Sequence, residues 1–203
     1  HPSTFQFLKS DIQPVLLHSF EKYEGFSMTR TDYEKGIGLA VEHLVNKGHK
    51  DIAYLTKDIN FPPFYLRFKG FIDTLKKKNI PLKMDLVKVT SDIKSNVIWD
   101  DVKKLFSLKK RPTAIVCASD VIAINVLEYC EKNGVRVPED IAVTGFDNRG
   151  ETEFSPPPLT TVDSKLEEQG IKAVELIIKR SNTRVLEPVV ITLEPELIIR
   201  KST

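Results

Sequence analysis

Asp120 lies two residues beyond the apolar run Thr113 to Ala118, and Asp147 lies three beyond the run Ile141 to Thr144, with Gly145 placed to permit a sharp turn. A third apolar run, Ile52 to Leu55, opens into a segment carrying Phe61, Phe64, Tyr65 and Arg67. If these runs are parallel strands of one sheet, the polar groups gather beyond the strands' carboxyl ends, where open α/β sheets bind ligands. Carboxylates accept hydroxyl hydrogen bonds in pairs, a guanidinium donates in a fork, and ring faces cover the C–H face of a sugar. The set therefore points to a polyhydroxylated ligand. Each residue alone has a plainer reading, Asp120 and Asp147 as caps or turn residues and Arg67 as a surface helix residue. Two carboxylates at such an edge also suit the acid/base pair of a sugar-active enzyme, a reading that predicts turnover, whereas a binding site returns its ligand unchanged.

Motifs for other chemistries are missing from the sequence. Gly36-Ile-Gly38 begins like a dinucleotide loop, but the third glycine would fall on Val41 and the stretch is helical, so a packing role is expected. His1, His18, His43 and His49 lack metal-ligand spacing. There is no nucleophile elbow, phosphate loop or C-x-x-C. No catalytic residue, metal or cofactor is assigned, and the chain is read as a non-enzyme.

The elements that must position these residues alternate as βα units, the pattern of a parallel sheet flanked by helices. Strands are expected at 13–18, 25–29, 52–55, 86–89, 113–118, 141–144, 189–192 and 197–199, and helices at 33–47, 65–79, 95–108, 121–133 and 164–180. Asp32 is placed to cap the first helix, and Gly48 and Gly134 to stop the helices before them. The segment 148–158, with Gly150 and three consecutive prolines, reads as a loop.

The 203 residues carry 30 Lys+Arg against 28 Asp+Glu, a net charge of +2 that argues against a DNA-contacting surface on this chain. Hydrophobic residues at 41% supply a core and exclude disorder. Cys117 and Cys130 both lie in apolar surroundings and are read as reduced, buried thiols of a cytoplasmic protein. No run is long and apolar enough to span a membrane, and no signal peptide opens the chain. It also begins without Met and is read as a piece of a longer polypeptide.

The stretch Gly134-Val-Arg-Val-Pro-Glu-Asp-Ile-Ala-Val-Thr-Gly-Phe-Asp-Asn148, followed by Pro157-Pro-Leu-Thr-Thr-Val162, resembles the effector-binding domain of the lactose/galactose repressor family of bacterial transcription regulators. His43 to Ala53, Arg67 to Phe71, Arg111 to Ala114, Ala118-Ser-Asp120 and Glu196 to Arg200 support it in order and spacing. The resemblance implies a periplasmic-binding-protein-like fold of two α/β lobes with effector in the cleft, here one complete C-terminal lobe plus part of an N-terminal lobe. The expected division is 1–49 as the partial N-terminal lobe and 50–147 as the C-terminal lobe. Residues 148–183 would cross and return as a helix to the N-terminal lobe, with 184–203 as final strands of the C-terminal lobe. By the same likeness Arg67, Asp120 and Asp147 match the family's effector-contacting Arg and two cleft polar residues. Ile93 stands where relatives often place a stacking ring, and Phe64 or Tyr65 is expected to supply the stacking instead.

The resemblance further implies an effector that is a sugar or sugar phosphate and a homodimer using Ile124, Leu127 and Tyr129. Operator DNA would be reached only through an N-terminal helix-turn-helix outside this chain, with no membrane partner. Effector would then act by shifting a two-state equilibrium. A solute-binding protein of a sugar transporter is the alternative reading.

Overall fold

The computed structural model describes residues 14–18, 26–182 and 187–203. The elements in chain order are β1 (Val15–Leu16), β2 (Ser27–Thr31), α1 (Tyr33–Asn46), β3 (Ile52–Lys57), α2 (Pro62–Lys77), β4 (Val87–Thr90), α3 (Ser95–Phe106), β5 (Ala114–Cys117), α4 (Asp120–Lys132), β6 (Ala142–Phe146), β7 (Thr160–Asp163), α5 (Leu166–Asn182), β8 (Val190–Leu193) and β9 (Glu196–Ile198). The alternation expected from periodicity is present. Two details differ from it. β7 is a strand the reading did not assign, because Thr160 and Thr161 lack an apolar signature. The segment after Asp147 contains a 3-10 turn over Gly150–Glu153.

The chain forms two compact units. The larger, 32–164 with 194–203, holds a six-stranded sheet in the order β4-β3-β5-β6-β7-β9. All its pairings are parallel except β7 with β9, which is antiparallel. β3, β5 and β6 are buried along nearly their whole length, which is why they read as continuous apolar runs. On one face, Ala53, Leu55, Ile115, Cys117 and Val143 pack with Ile98, Val102 and Leu105 of α3 and Ile122, Val126 and Leu127 of α4. Trp99 and Phe106, expected on the buried side of α3, instead lie half-buried in edge contact with Tyr129.

On the other face lie α1 and α2, brought close by glycines. A Cβ at Gly36 would come within 2.9 Å of the Phe146 ring, and one at Gly70 within 2.4 Å of the Glu34 carbonyl oxygen. The G-x-G pair in α1 therefore serves packing. This contact also moves a boundary. α1, expected in the first lobe, packs on α2 and on the large sheet, so the larger unit begins at Asp32 and not at 50. Asp32 caps α1 as expected, its carboxylate accepting from the Lys35 N–H at 2.9 Å. Gly48 and Gly134 follow their helices at φ 96° and 67°, a conformation that favours glycine.

The smaller unit, 1–31 with 165–193, contains the parallel sheet β1-β2-β8 and α5. β8 thus pairs with β2, where the sequence placed it among the final strands of the other lobe. Gln169 of α5 donates to the Thr31 hydroxyl at 2.8 Å, and Ala173 and Leu176 are buried. Leu166, Ile171, Val174 and Ile177, expected on a buried face, are about half exposed.

Candidate functional site

The site is built at the carboxyl ends of β3, β5 and β6, within the larger unit. Pro62 and Pro63 stand in the first turn of α2, where a missing N–H is harmless, and the helix carries Arg67 inward one turn later. Arg67 is only 4% exposed, so the surface-helix reading does not hold. Its guanidinium lies 3.9 Å from the Phe146 ring centroid, 5.0 Å from that of Tyr33 and 5.8 Å from that of Phe64. One Nη donates to the Ala118 carbonyl oxygen at the end of β5, and the other donates to Asp147 Oδ1 at 2.8 Å. Its Nε is buried without a partner. The ring cage removes the cation from water, and the carbonyl and carboxylate compensate its charge.

Asp147 follows β6 directly. Its side chain is 29% exposed, and its backbone N–H donates to the Val162 carbonyl at 2.8 Å. Asp147 at φ 113° and Asn148 at φ 55° both occupy the left-handed region, a strain that clusters at functional sites and persists only where the surroundings impose it. Arg200, from the far end of the chain, donates to Asn148 Oδ1 at 2.9 Å and to the Leu159 carbonyl at 2.8 Å, bracing this turn from the opposite side.

Asp120 behaves differently from what its position in sequence suggested. It is 0% exposed at the first residue of α4. Oδ1 accepts from the Thr161 hydroxyl, and Oδ2 accepts from the Arg149 backbone N–H at 2.8 Å. Burial pushes its carboxyl up to about 6, against the lowering effect of those two hydrogen bonds; Asp147 raises it further and Arg67 lowers it. Both carboxylate oxygens are thus engaged within the protein, and in this structure Asp120 presents no surface for the effector contact expected of it. The neighbouring Ser119 stands beside Ala118 at the N-terminus of α4, and its hydroxyl makes no capping bond.

Of the ring candidates, Phe64 joins the guanidinium cage, with Phe61 edge-on to it at 5.9 Å between centroids. Tyr65 and Ile93 are exposed at the same sheet edge and are not part of the cluster around Arg67. The Ile93 backbone N–H is held by the Asp92 carboxylate at 2.7 Å. The structure thus brings together Arg67, Asp147 and Phe64, and adds Tyr33, Phe146 and Arg200, with Ser119 next in the chain to the Ala118 carbonyl that Arg67 holds. In sequence Tyr33 marked only the start of an expected helix, and Phe146 lay within the motif that carries the family resemblance. Arg200 lay within a recognised motif, but nothing local indicated its reach.

Among the described residues no group of His, Cys, Asp and Glu is arranged to hold a metal. Burial raises the Cys130 thiol to about 12 and raises Cys117 well above the ordinary thiol value, so both stay protonated. Lone thiols of this kind serve as packing.

Residues 41–203 match the model of the periplasmic binding protein-like domain. The chain belongs to that family. The resemblance to the lactose/galactose repressors is borne out as well. Proteins named HTH-type transcriptional repressor PurR are 33% identical over 164 residues in Mannheimia succiniciproducens and in Pasteurella multocida, covering 81% of this chain and 49% of each relative. The chain therefore spans about half the length of the curated relatives it matches. Among solved structures, a regulatory protein of LacI family from Chloroflexus aggregans superposes with TM-score 0.89 at 27% identity, covering 99% of this chain and 72% of that one. A LacI family transcriptional regulator from Enterococcus faecium, solved with bound ribose, gives TM-score 0.87 at 26% identity over 98% and 73%. These relatives are transcription repressors and regulators by name. Among the described residues no helix is long and apolar enough to cross a membrane.

Proposed function

We propose that this periplasmic binding protein-like chain is the effector-sensing part of a cytoplasmic bacterial transcription repressor, and that its effector is a sugar held at Arg67, Asp147, Ser119 and Phe64. The observation that carries the reading is the Arg67–Asp147 pair. A buried guanidinium bridging the ends of β5 and β6 presents a part-exposed carboxylate, which accepts from ligand hydroxyls, beside a ring that covers an apolar sugar face. The charge balance favours a neutral sugar over a sugar phosphate, since the cation is compensated by Asp147 and shielded by three rings. Tyr65 and Ile93 lie at the same edge and are available to the ligand's outer face.

DNA contact belongs to a helix-turn-helix outside this chain, and sensing couples to it through a homodimer. Support for the dimer is a groove of about 280 Å³ lined by Ile124, Glu128, Phe154 and Pro156, at whose rim Phe154 is 85% exposed. Tyr129 is engaged by Trp99 and Phe106, which leaves Ile124 and, with little exposed surface, Leu127 as the apolar contacts from α4.

The test is thermal-shift screening against mono- and disaccharides, ribose among them, since a ligand that binds the folded state raises its melting temperature by mass action. Asp147→Ala should abolish the shift produced by any hit while moving the unliganded melting temperature by only a few degrees. A full shift in that variant refutes the site. A shift produced by a sugar phosphate, and by no neutral sugar, refutes the charge argument.

A further inference from the structure

The turn 147–149 is strained, so something must impose it. Beyond the sheet's own ladder, Arg67 holds the Asp147 carboxylate and Thr152 donates its N–H and hydroxyl to the Arg149 carbonyl. Arg200 holds the Asn148 side chain, and Asp120 takes the Arg149 N–H at 2.8 Å. Asp120 reaches that N–H only because it is itself anchored, its other oxygen accepting from Thr161 of β7. The slot it occupies depends on Gly145, where a Cβ would come within 2.2 Å of Asp120 Oδ1. A buried acid, a glycine that makes room for it and a hydroxyl that orients it are thus arranged around one backbone amide, two residues after the part-exposed Asp147.

We propose that Asp120 is a positioning residue that fixes the turn 147–149 and so aims the Asp147 carboxylate, without itself touching the ligand. The proposal rests on the ligand site described above, with Asp120 moved from that site to its support. The charged and titratable groups that face it are Arg67 from α2, Asp147 and Arg149 from the turn, and the Cys117 thiol from β5. Asparagine at position 120 keeps an oxygen for the Arg149 N–H and offers its amide to the Thr161 oxygen. Alanine keeps neither, so the two variants separate tethering from mere occupancy of space.

The experiment is amide-resolved NMR on the 203-residue chain, without ligand. In the wild type the Arg149 amide resonance should titrate with a midpoint near 6, as the carboxylate that accepts from it takes up a proton. Asp120→Asn and Asp120→Ala should both abolish that titration. Amide exchange over 147–149 should quicken about tenfold or more in Asp120→Ala and stay close to wild type in Asp120→Asn. Unchanged exchange in a folded Asp120→Ala, or an Asp120→Asn variant as loose as the alanine, overturns the proposal. If the alanine variant does not fold, Thr161→Val serves, because loss of a donor to the anion should move the Arg149 midpoint upward; an unmoved midpoint overturns it equally. Since no ligand is present, these outcomes are independent of the saccharide screen, so failure of the tether and failure of the sugar site are distinguishable.

Discussion

Replacing Arg67 by methionine removes the cation while keeping an apolar chain of similar reach among Phe146, Tyr33 and Phe64. Three interactions are then lost at groups that stay behind. The Ala118 carbonyl loses its side-chain donor at the end of a buried strand, and a charge-assisted bond of that kind is worth about 1.5–3 kcal/mol. The stacking on Phe146, with the guanidinium 3.9 Å from the ring centroid in a desolvated cage, adds about 1–2 kcal/mol. The ion pair with Asp147 contributes less, because that carboxylate is 29% exposed and regains water when its partner leaves. Methionine returns part of the loss by burying its own apolar surface and by sparing the desolvation of a charge. A net destabilisation of about 3 kcal/mol follows, or a fall in melting temperature of roughly 6–12 °C for a chain of this size. Arg67→Lys should lie nearer to methionine than to wild type, since one ammonium cannot span the carbonyl and the carboxylate together. Urea denaturation of the unliganded chain, followed by circular dichroism and by the fluorescence of Trp99, measures both. A methionine variant within about 0.5 kcal/mol of wild type would show that the carbonyl and carboxylate find water freely, and the structural half of the Arg67 role would be withdrawn.

Other substitutions probe the frame around the site. Gly70→Ala should destabilise by about 1–3 kcal/mol by thermal denaturation, because its Cβ would meet the Glu34 backbone at 2.4 Å and α1 must move away from α2; a neutral result would mean that the two helices separate easily. The folded-state pKa of Asp120, near 6, lies above the ordinary carboxylate value, so the folded chain holds this proton more tightly than the unfolded one. Its contribution to stability should therefore grow as pH falls from about 6 towards 4, and the wild type should gain about 2 kcal/mol on Asp120→Asn between pH 7.5 and 4.5. Parallel stability curves for the two proteins would refute that assignment. Phe154→Glu should convert a dimer to a monomer in sedimentation analysis without lowering the melting temperature measured at monomeric concentrations; an unchanged sedimentation coefficient would place the dimer contact elsewhere.

How far the sequence could be read depended on the range of the interactions involved. Strands buried on both faces announced themselves as apolar runs, and α1 announced itself by its period, its Asp32 cap and its terminal Gly48, all local signals. β7 did not, since its threonines are buried by pairing with β6 and β9 and not by an apolar pattern. The three apolar runs that end near Arg67, Asp120 and Asp147 were enough to bring these residues to one sheet edge. They could not show which way each side chain turns. Asp120 and Ser119 are adjacent, and only the register of α4 against β6 and β7 turns the carboxylate inward to Thr161 and Arg149.

Taken alone, the sequence determined the βα alternation, the sheet edge at which Arg67, Asp120 and Asp147 gather and the repressor-family motifs, because each is written in local period, local turn chemistry or residue order. The tertiary structure decided that Arg67 is buried against Asp147 and Ala118, that Asp120 turns inward to Thr161 and Arg149, and that α1 joins the larger unit while β8 joins the smaller. Those outcomes rest on contacts between residues far apart in the chain, such as Arg67 with Asp147 and Asp120 with Thr161, and side-chain direction at such contacts is set by packing that no local pattern encodes.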